Sequence, residues 1–368
     1  MITTSASPTP PCKLALIGGD LRQMVTAKTL AAEGYEVAVY AMDTYAGDWG
    51  SVTRAADLAS AVGGADLVIL PLPVTQDEER LHCPLTRHTV LLTEVFDALK
   101  PGQRVAGGKV SAHVHALAAN HGIAVTDYLQ REELAVANAV PTAEGALAIA
   151  MAEVPYTIHG ARCLVLGYGR VAKALAKTLT AVGANVTVAA RKPEDLAWID
   201  ANGQIPLPFS ALTQGDTPLN YDIVFNTVPE QIIGANLLSR LPCDVLLLDL
   251  ASAPGGFDHD WAKQHGYHVI WALSLPGKTA PVTAGRIISD SIRYILNEEV
   301  SPSSVTLSAV RSVPTHAPLI RCGICLPAVM TSSRSSRKLF MQPTPASVVP
   351  PISLKNWKTS AGEKPSIP

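Results

Sequence analysis

An α/β fold of two doubly wound parallel sheets is predicted by three observations. Short β-branched runs alternate with helix-length amphipathic stretches from about residue 12 to residue 299. Two of those runs end in glycine-containing turns that lead straight into a helical stretch, at Gly18-Gly19 and at Gly167-Tyr168-Gly169. The chain is 368 residues long and 48% hydrophobic, enough for two domains with full cores.

In order along the chain, residues 13–17 form the first predicted strand. The turn Gly18-Gly19-Asp20 follows, then a helix to about residue 33. Strands are predicted over 36–40, 67–70, 104–106 and 123–125, with helices near 89–99 and 111–121 between them. These make a first domain over residues 12–135. Residues 136–160 are a connecting segment in which an Ala-rich helix is expected to start at Pro141, since proline suits a first helical turn. A second domain over 161–280 has strands at 161–166, 185–189, 222–225, 244–248 and 268–270. A last helix over 281–299 is expected, by analogy with other two-domain folds of this class, to cross back to the first domain and leave an interdomain cleft. Residues 300–368 hold the Ser- and Pro-rich remainder, without a sustained period, and read as a disordered C-terminal tail.

The formal charge of −2 hides a split between body and tail. Residues 301–368 carry eight Lys or Arg and one Glu, whereas the preceding 300 carry 21 basic and 30 acidic residues. An acidic body argues against nucleic acid as the partner. No run of consecutive apolar residues reaches the roughly 18 that a membrane span needs, so no membrane association is expected. The N-terminus lacks the basic start and apolar core of a signal peptide. Six scattered cysteines fit free thiols in a reducing cytoplasm, and the isolated Cys322-Gly323-Ile324-Cys325 has no second pair to complete a metal site. No metal is expected.

Gly167-Tyr168-Gly169-Arg170-Val171-Ala172 follows a strand and opens a helix, the context that turns a glycine string into a dinucleotide site. Gly167 permits the tight turn, and Gly169 lets a pyrophosphate approach the backbone. Ala172 allows close helix–strand packing, and the helix N-terminus offers free N–H groups. The domain is therefore Rossmann-like. At the end of its second strand an NAD site usually places a carboxylate. Here Arg191 and Lys192 stand there, which favours the 2′-phosphate of NADP, with NAD still admissible. Thr227, Val228 and Pro229 end the next long strand, and Leu250 and Ala251 end the one after, at crests where such folds touch the cofactor.

Gly18-Gly19-Asp20-Leu21-Arg22-Gln23 has the right context but lacks the GxGxxG spacing. Asp20, Arg22 and Gln23 on a glycine turn suit a small anionic ligand, although Asp20 is also an ordinary helix cap. Thr142 and Glu144, in Pro141-Thr142-Ala143-Glu144-Gly145, could face the cleft or simply begin a helix. Lys109 and Lys278 each offer a cation on a glycine-containing turn.

These motifs occur together in one family. Gly18 to Gln23, Pro141 to Gly145, Tyr156-Thr157-Ile158-His159-Gly160 leading into Gly167 to Arg170, Asp249 to Gly256 and Leu275 to Gly285 resemble, in order, the dipicolinate synthase A subunits of endospore-forming bacteria. The resemblance covers about residues 12–299. It implies an oxidoreductase acting on dihydrodipicolinate, or on its hydrated 4-hydroxy-tetrahydro precursor, to give pyridine-2,6-dicarboxylate in sporulation. It also implies a heteromeric complex with a separately encoded B subunit of the flavin-binding type; a homo-oligomer is admissible beside it. The residues agree with that chemistry, because two carboxylates call for cations and N–H groups. Arg22, Lys109 and Lys278 are the candidates for them, and Asp20 or Glu144 for the proton acceptor. Two other readings stand beside it. One is a two-domain 2-hydroxy-acid or amino-acid dehydrogenase, which would need a His–carboxylate pair or an active-site Lys in context; the histidines, such as His113 and His115, show no such arrangement. The other is a non-catalytic NADP-binding member of a complex.

Overall fold

The structure, a computed structural model, describes residues 12–214 and 218–298. The expectations for the tail and for Cys322 and Cys325 lie outside the described residues.

The first sheet is built from β1 (Lys13–Ile17), β2 (Glu36–Tyr40), β3 (Thr53–Arg54), β4 (Leu67–Ile69), β5 (Val105–Gly107) and β6 (Val125–Asp127). Helices α1 (Leu21–Ala32), α2 (Leu58–Val62), α3 (Leu92–Asp97) and α4 (Ala112–Asn120) connect them. The long helix α5 (Glu132–Glu153) leads to the second sheet, made of β7 (Arg162–Leu166), β8 (Asn185–Ala190), β9 (Ile205–Pro208), β10 (Ile223–Asn226), β11 (Leu246–Asp249) and β12 (His268–Trp271). Its helices are α6 (Arg170–Ala181), α7 (Pro193–Ala201), α8 (Phe209–Thr213), α9 (Ala235–Leu238) and α10 (His259–Gln264), followed by α11 (Leu275–Thr279) and α12 (Pro281–Glu298).

Both sheets are wholly parallel and share one order. The first runs β3-β2-β1-β4-β5-β6 and the second, read from its other edge, β9-β8-β7-β10-β11-β12. This is the doubly wound arrangement, in which consecutive crossovers leave a crevice where the order reverses, between β1 and β4 and between β7 and β10. Each sheet is buried on both faces, as parallel sheets must be. In β1, Leu14 and Leu16 join one core cluster while Ala15 and Ile17 join the other.

Several elements differ from expectation. The strand expected at 123–125 lies at Val125–Asp127, and the helix expected over 89–99 is confined to Leu92–Asp97. The edge strands β3 and β9 do not stand out in the sequence. Strand β3 is two residues long, and β9 reads Ile-Pro-Leu-Pro, a pattern excluded from a central strand but tolerated at an edge. The helix expected to begin at Pro141 begins nine residues earlier and runs through it. Proline costs the helix one N–H donor. The Thr142 hydroxyl donates to the Asn138 carbonyl at 2.7 Å and so occupies an acceptor in the same turn. Pro141, Ala143, Gly145, Ala146 and Ala150 are buried, so tertiary packing overrides the local break. By length and composition α5 could cross a membrane, contrary to the count of consecutive apolar residues, because its mean hydropathy absorbs interspersed polar residues such as Asn138 and Glu144. Here it packs on α6, α11 and α12.

Helix α12 packs on α1 in the first domain, where Ile288, Ile292, Ile295 and Leu296 complete the core face of β1 and β2. The crossing is close. A Cβ on Gly285 would stand 2.6 Å from the Arg22 carbonyl oxygen, and the Thr26 hydroxyl donates to the Gly285 carbonyl at 2.9 Å. Arg131 pairs with Glu298 at 2.9 Å, tying the start of α5 to the end of α12.

Candidate functional site

The dinucleotide turn sits at the crevice between β7 and β10. Gly167 has φ 94, and a Cβ there would lie 2.8 Å from the Thr227 Oγ1 and 2.9 Å from a Val228 methyl. Only glycine fits between the two crests. Thr227 is fixed in turn by its hydroxyl, which donates to the Leu166 carbonyl at 2.7 Å. Gly169 is the N-cap of α6, and a Cβ there would meet nothing within 4 Å. That open space above a helix N-terminus is where a pyrophosphate fits. Arg170 is exposed and pairs with Glu132 at 2.8 Å, and the Tyr168 ring lies under Lys173 with its hydroxyl near the Asn202 amide. Val171 is half-buried at the first turn of α6. Arg191 and Lys192 are both exposed just beyond β8, with no ion-pair partner among the described residues. Leu250 and Ala251 follow β11, next to the Asp249 brace described below.

In the first sheet the turn after β1 is occupied by its own side chains. Asp20 caps α1 by accepting from the Arg22 N–H at 2.9 Å, and its carboxylate also accepts from Arg22 Nε at 3.0 Å and Nη2 at 2.8 Å. Arg22 Nη2 donates further to the Leu72 carbonyl. The side chain of Arg22 is only 11% exposed. Its Nη1 makes no hydrogen bond among the described residues, and Gly277 lies against the guanidinium, where a Cβ would be 3.0 Å from Cζ and Nε and 3.3 Å from Nη1. Gly277 belongs to α11, which leaves the second sheet after β12. The end of one sheet thus reaches the switch point of the other.

Residues 13–129 match the family model for the N-terminal domain of the dipicolinate synthase A subunit, and residues 154–237 match an NAD(P)-binding model. A curated relative, the dipicolinate synthase A subunit of Bacillus subtilis, is 31% identical over 287 residues, covering 78% of this chain and 96% of the relative. The chain belongs to the family of dipicolinate synthase A subunits. The crystal structure of the B. subtilis protein superposes with a TM-score of 0.71 at 30% identity, covering 79% of this chain and 97% of that one. The crystal structure of the Bacillus halodurans protein gives the same TM-score at 29% identity, covering 78% and 98%. A transhydrogenase from Sinorhizobium meliloti, at 13% identity and TM-score 0.59 over 78% of this chain and 94% of its own, shares the fold alone. As in that family, this chain carries an NAD(P)-binding Rossmann-like domain beside a second doubly wound domain.

The remaining expected site residues of this family member fall into two groups. Lys109, with φ 57, is exposed at the turn after β5 and anchored by its N–H, which donates to Asp127 at 3.0 Å, whereas Lys278 is exposed in the last turn of α11 and not on the turn expected for it. Gln23 is 2% exposed with its amide donating to the Ile69 carbonyl at 3.0 Å, which makes it a brace between helix and sheet. Thr142 and Glu144 lie in the middle of α5, not at its start; the Thr142 hydroxyl is spent on the backbone, and Glu144 is exposed.

Two residues were missed by sequence reasoning. His82 lies across the Gly18-Gly19 turn: its carbonyl accepts from the Gly19 N–H at 2.9 Å, and its Nδ1 is 3.1 Å from the Gln76 amide nitrogen. Burial holds its pKa below the usual imidazole value, with Asp20 opposing and Arg22 adding to the effect. No local pattern could have found it, because it sits in a long loop some 60 residues from the turn it covers. The second is His259, whose Nε2 is 2.9 Å from a carboxylate oxygen of fully buried Asp249. A His–carboxylate pair therefore does exist, contrary to expectation. That carboxylate also accepts from the Asn226 amide (2.8 Å), the Ala251 N–H (3.1 Å) and the Gly256 N–H (2.8 Å), and His259 stacks on Trp271. So many partners make Asp249 the brace of the loop after β11. His113 and His115 are exposed on α4.

Proposed function

We propose that this chain oxidises dihydrodipicolinate, or the 4-hydroxy-tetrahydro form that loses water to give it, to pyridine-2,6-dicarboxylate with NADP. Support comes from family membership and from one observation above all: Gly277, on the helix after β12, stands against the guanidinium of Arg22 at the switch point of the first sheet. A dicarboxylate held by the Nη1 edge of Arg22 would lie between the two glycine turns. NADP, when bound, supplies the hydride acceptor, and loss of a hydride and a proton leaves the ring aromatic. The chain's own work is then to bind and orient. Arg22 takes one carboxylate through the N–H groups of Nη1, the nitrogen that Asp20 and Leu72 leave free, and exposed Lys278 or Lys109 takes the other. Asp20 keeps the guanidinium in place. His82, held neutral beside both, is in the form that accepts a proton; Glu144 is the alternative acceptor.

Arg191 and Lys192 carry the preference for NADP over NAD, since either can pair with a 2′-phosphate and neither strand-end residue is acidic. The setting is cytoplasmic and sporulation-linked, and the partner is a B subunit of the flavin-binding type. The test is substrate discrimination by the purified chain. Turnover with enzymatically generated dihydrodipicolinate and NADP, and none with 2-hydroxy acids or amino acids, is expected whether or not the partner is present. Activity that appears only with the partner would make this chain a non-catalytic NADP-binding member of the complex.

A further inference from the structure

We propose that the first sheet holds a second ligand site, for a nucleoside monophosphate of the adenosine type, in the crevice beyond the end of β2. The two sheets have the same strand order. In such a sheet the nucleoside half of a dinucleotide lies beyond the second strand, where an acidic residue holds the ribose hydroxyls. In the second sheet that place is taken by Arg191 and Lys192. In the first it is taken by Asp43, three residues past β2, on a turn that Ala41 enters with φ 61. A left-handed backbone at a residue with a side chain is held only where its surroundings enforce it.

A crevice of about 430 Å³ opens there, lined by Tyr40, Asp43, Trp49, Arg54, Thr86 and His88 among others. That is within the range of small-molecule sites. Trp49 is half-buried and braced edge-on by Tyr45 at 5.6 Å, and the Arg54 guanidinium lies 4.6 Å from its ring centroid. The exposed Arg54 guanidinium lies over the indole ring, and the outer plane of that stacked pair suits a planar base while its charge suits a phosphate. Hydrogen bonding from Thr86, with help from His88 and the Arg87 N–H, holds the Asp43 carboxyl below its usual range, so it is ionised and ready to accept from a ribose diol.

The ligand is a mononucleotide because the pyrophosphate path is filled. A Cβ on Gly18 would lie 2.3 Å from the Cys83 sulfur, and the Gly19 N–H is already bonded to the His82 carbonyl. The segment that fills it continues to Leu85, whose carbonyl accepts from the Thr44 N–H at 3.0 Å, and to the crevice wall at Thr86 and His88. A ligand in the crevice therefore bears on the strand of chain that carries His82.

The test is calorimetric titration of adenosine 5′-monophosphate into the full chain kept saturated with NADP. Binding with a dissociation constant below about 1 mM is expected, weakened at least about tenfold by Arg54→Ala and by Asp43→Asn. Arg54 is exposed on an edge strand, so its variant keeps the wild-type melting curve even if Asp43→Asn disturbs the loop. The proposal is overturned by an absence of binding, by binding that saturating NADP abolishes, or by binding that Arg54→Ala leaves unchanged. It is equally overturned if pyridine-2,6-dicarboxylate, and not the nucleotide, binds in an Arg54-dependent way.

Discussion

The turn after β1 and the turn after β7 occupy equivalent places in two sheets of identical order, yet one is full and the other open. Around Gly18 the space is taken by Cys83, Leu81 and the His82 carbonyl. Around Gly169 nothing lies within 4 Å of where a side chain would begin. Strand order creates a crevice at each switch point, but the chain that crosses the crevice decides what it can hold. In the first sheet the long connection from β4 to α3 folds over the turn and leaves a charged fork, Asp20 and Arg22, at its rim. In the second sheet the crests of Thr227 and Val228 stop beside Gly167 and leave the helix N-terminus bare.

Substitutions on the two turns should separate their roles. The largest effect is expected from Arg22→Leu, which should lower kcat/KM for the dicarboxylate by about a hundredfold, the loss of hydrogen bonds to a charged group. NADP affinity, measured by fluorescence titration, should stay nearly unchanged; equal loss of both would mean misfolding. Gly169→Ala should raise the KM for NADP by a few tens of fold with little change in melting temperature, because its methyl group meets only the cofactor's space. Arg191→Asp should raise the same constant more than tenfold and narrow the difference between NADP and NAD. Gly18→Ala should behave in the opposite sense to Gly169→Ala. It should destabilise the fold by about 1–3 kcal/mol in denaturant titration, from a positive φ and a clash with Cys83, while the surviving native protein binds NADP normally.

The smallest effect concerns pH. His82 has a folded pKa held below the unfolded value of 6.5. Its neutral form is the native one, so the stability it contributes is present above pH 6.5 and is lost as pH falls from there toward the folded value, where the unfolded chain takes up the proton first. His82→Gln should flatten that part of the stability profile. Unchanged acid sensitivity between wild type and variant would show that His82 is not the group responsible.

How much of this was legible in the sequence depended on how local each feature is. The strand, glycine turn and helix around Gly167 lie within a few residues of one another, and each is readable from its neighbours in the chain. Arg22 and Asp20 were legible as turn residues for the same reason. Their partners were not: Leu72 and Gly277 arrive from 50 and more residues away, and only packing brings them in. Proline's local preference puts the start of α5 at Pro141, whereas burial of Ala143, Ala146 and Ala150 fixes the helix through it. Strand β9 was hidden by its two prolines, which an edge position accommodates. Asp249 is legible as a strand end, but the histidine that completes its brace lies one loop later, at the first residue of α10.

One chain is proposed to hold both the hydride acceptor and the dicarboxylate. The most direct measurement mixes the purified chain with NADP and dihydrodipicolinate generated in place. It follows reduced nicotinamide and pyridine-2,6-dicarboxylate by their separate absorbances. The two should appear together in a one-to-one ratio, and both should rise about a hundredfold more slowly with Arg22→Leu at the same subsaturating concentrations. Pyridine product formed without matching reduction of NADP, or at the same rate in that variant, would show that hydride transfer and dicarboxylate binding do not meet at Arg22.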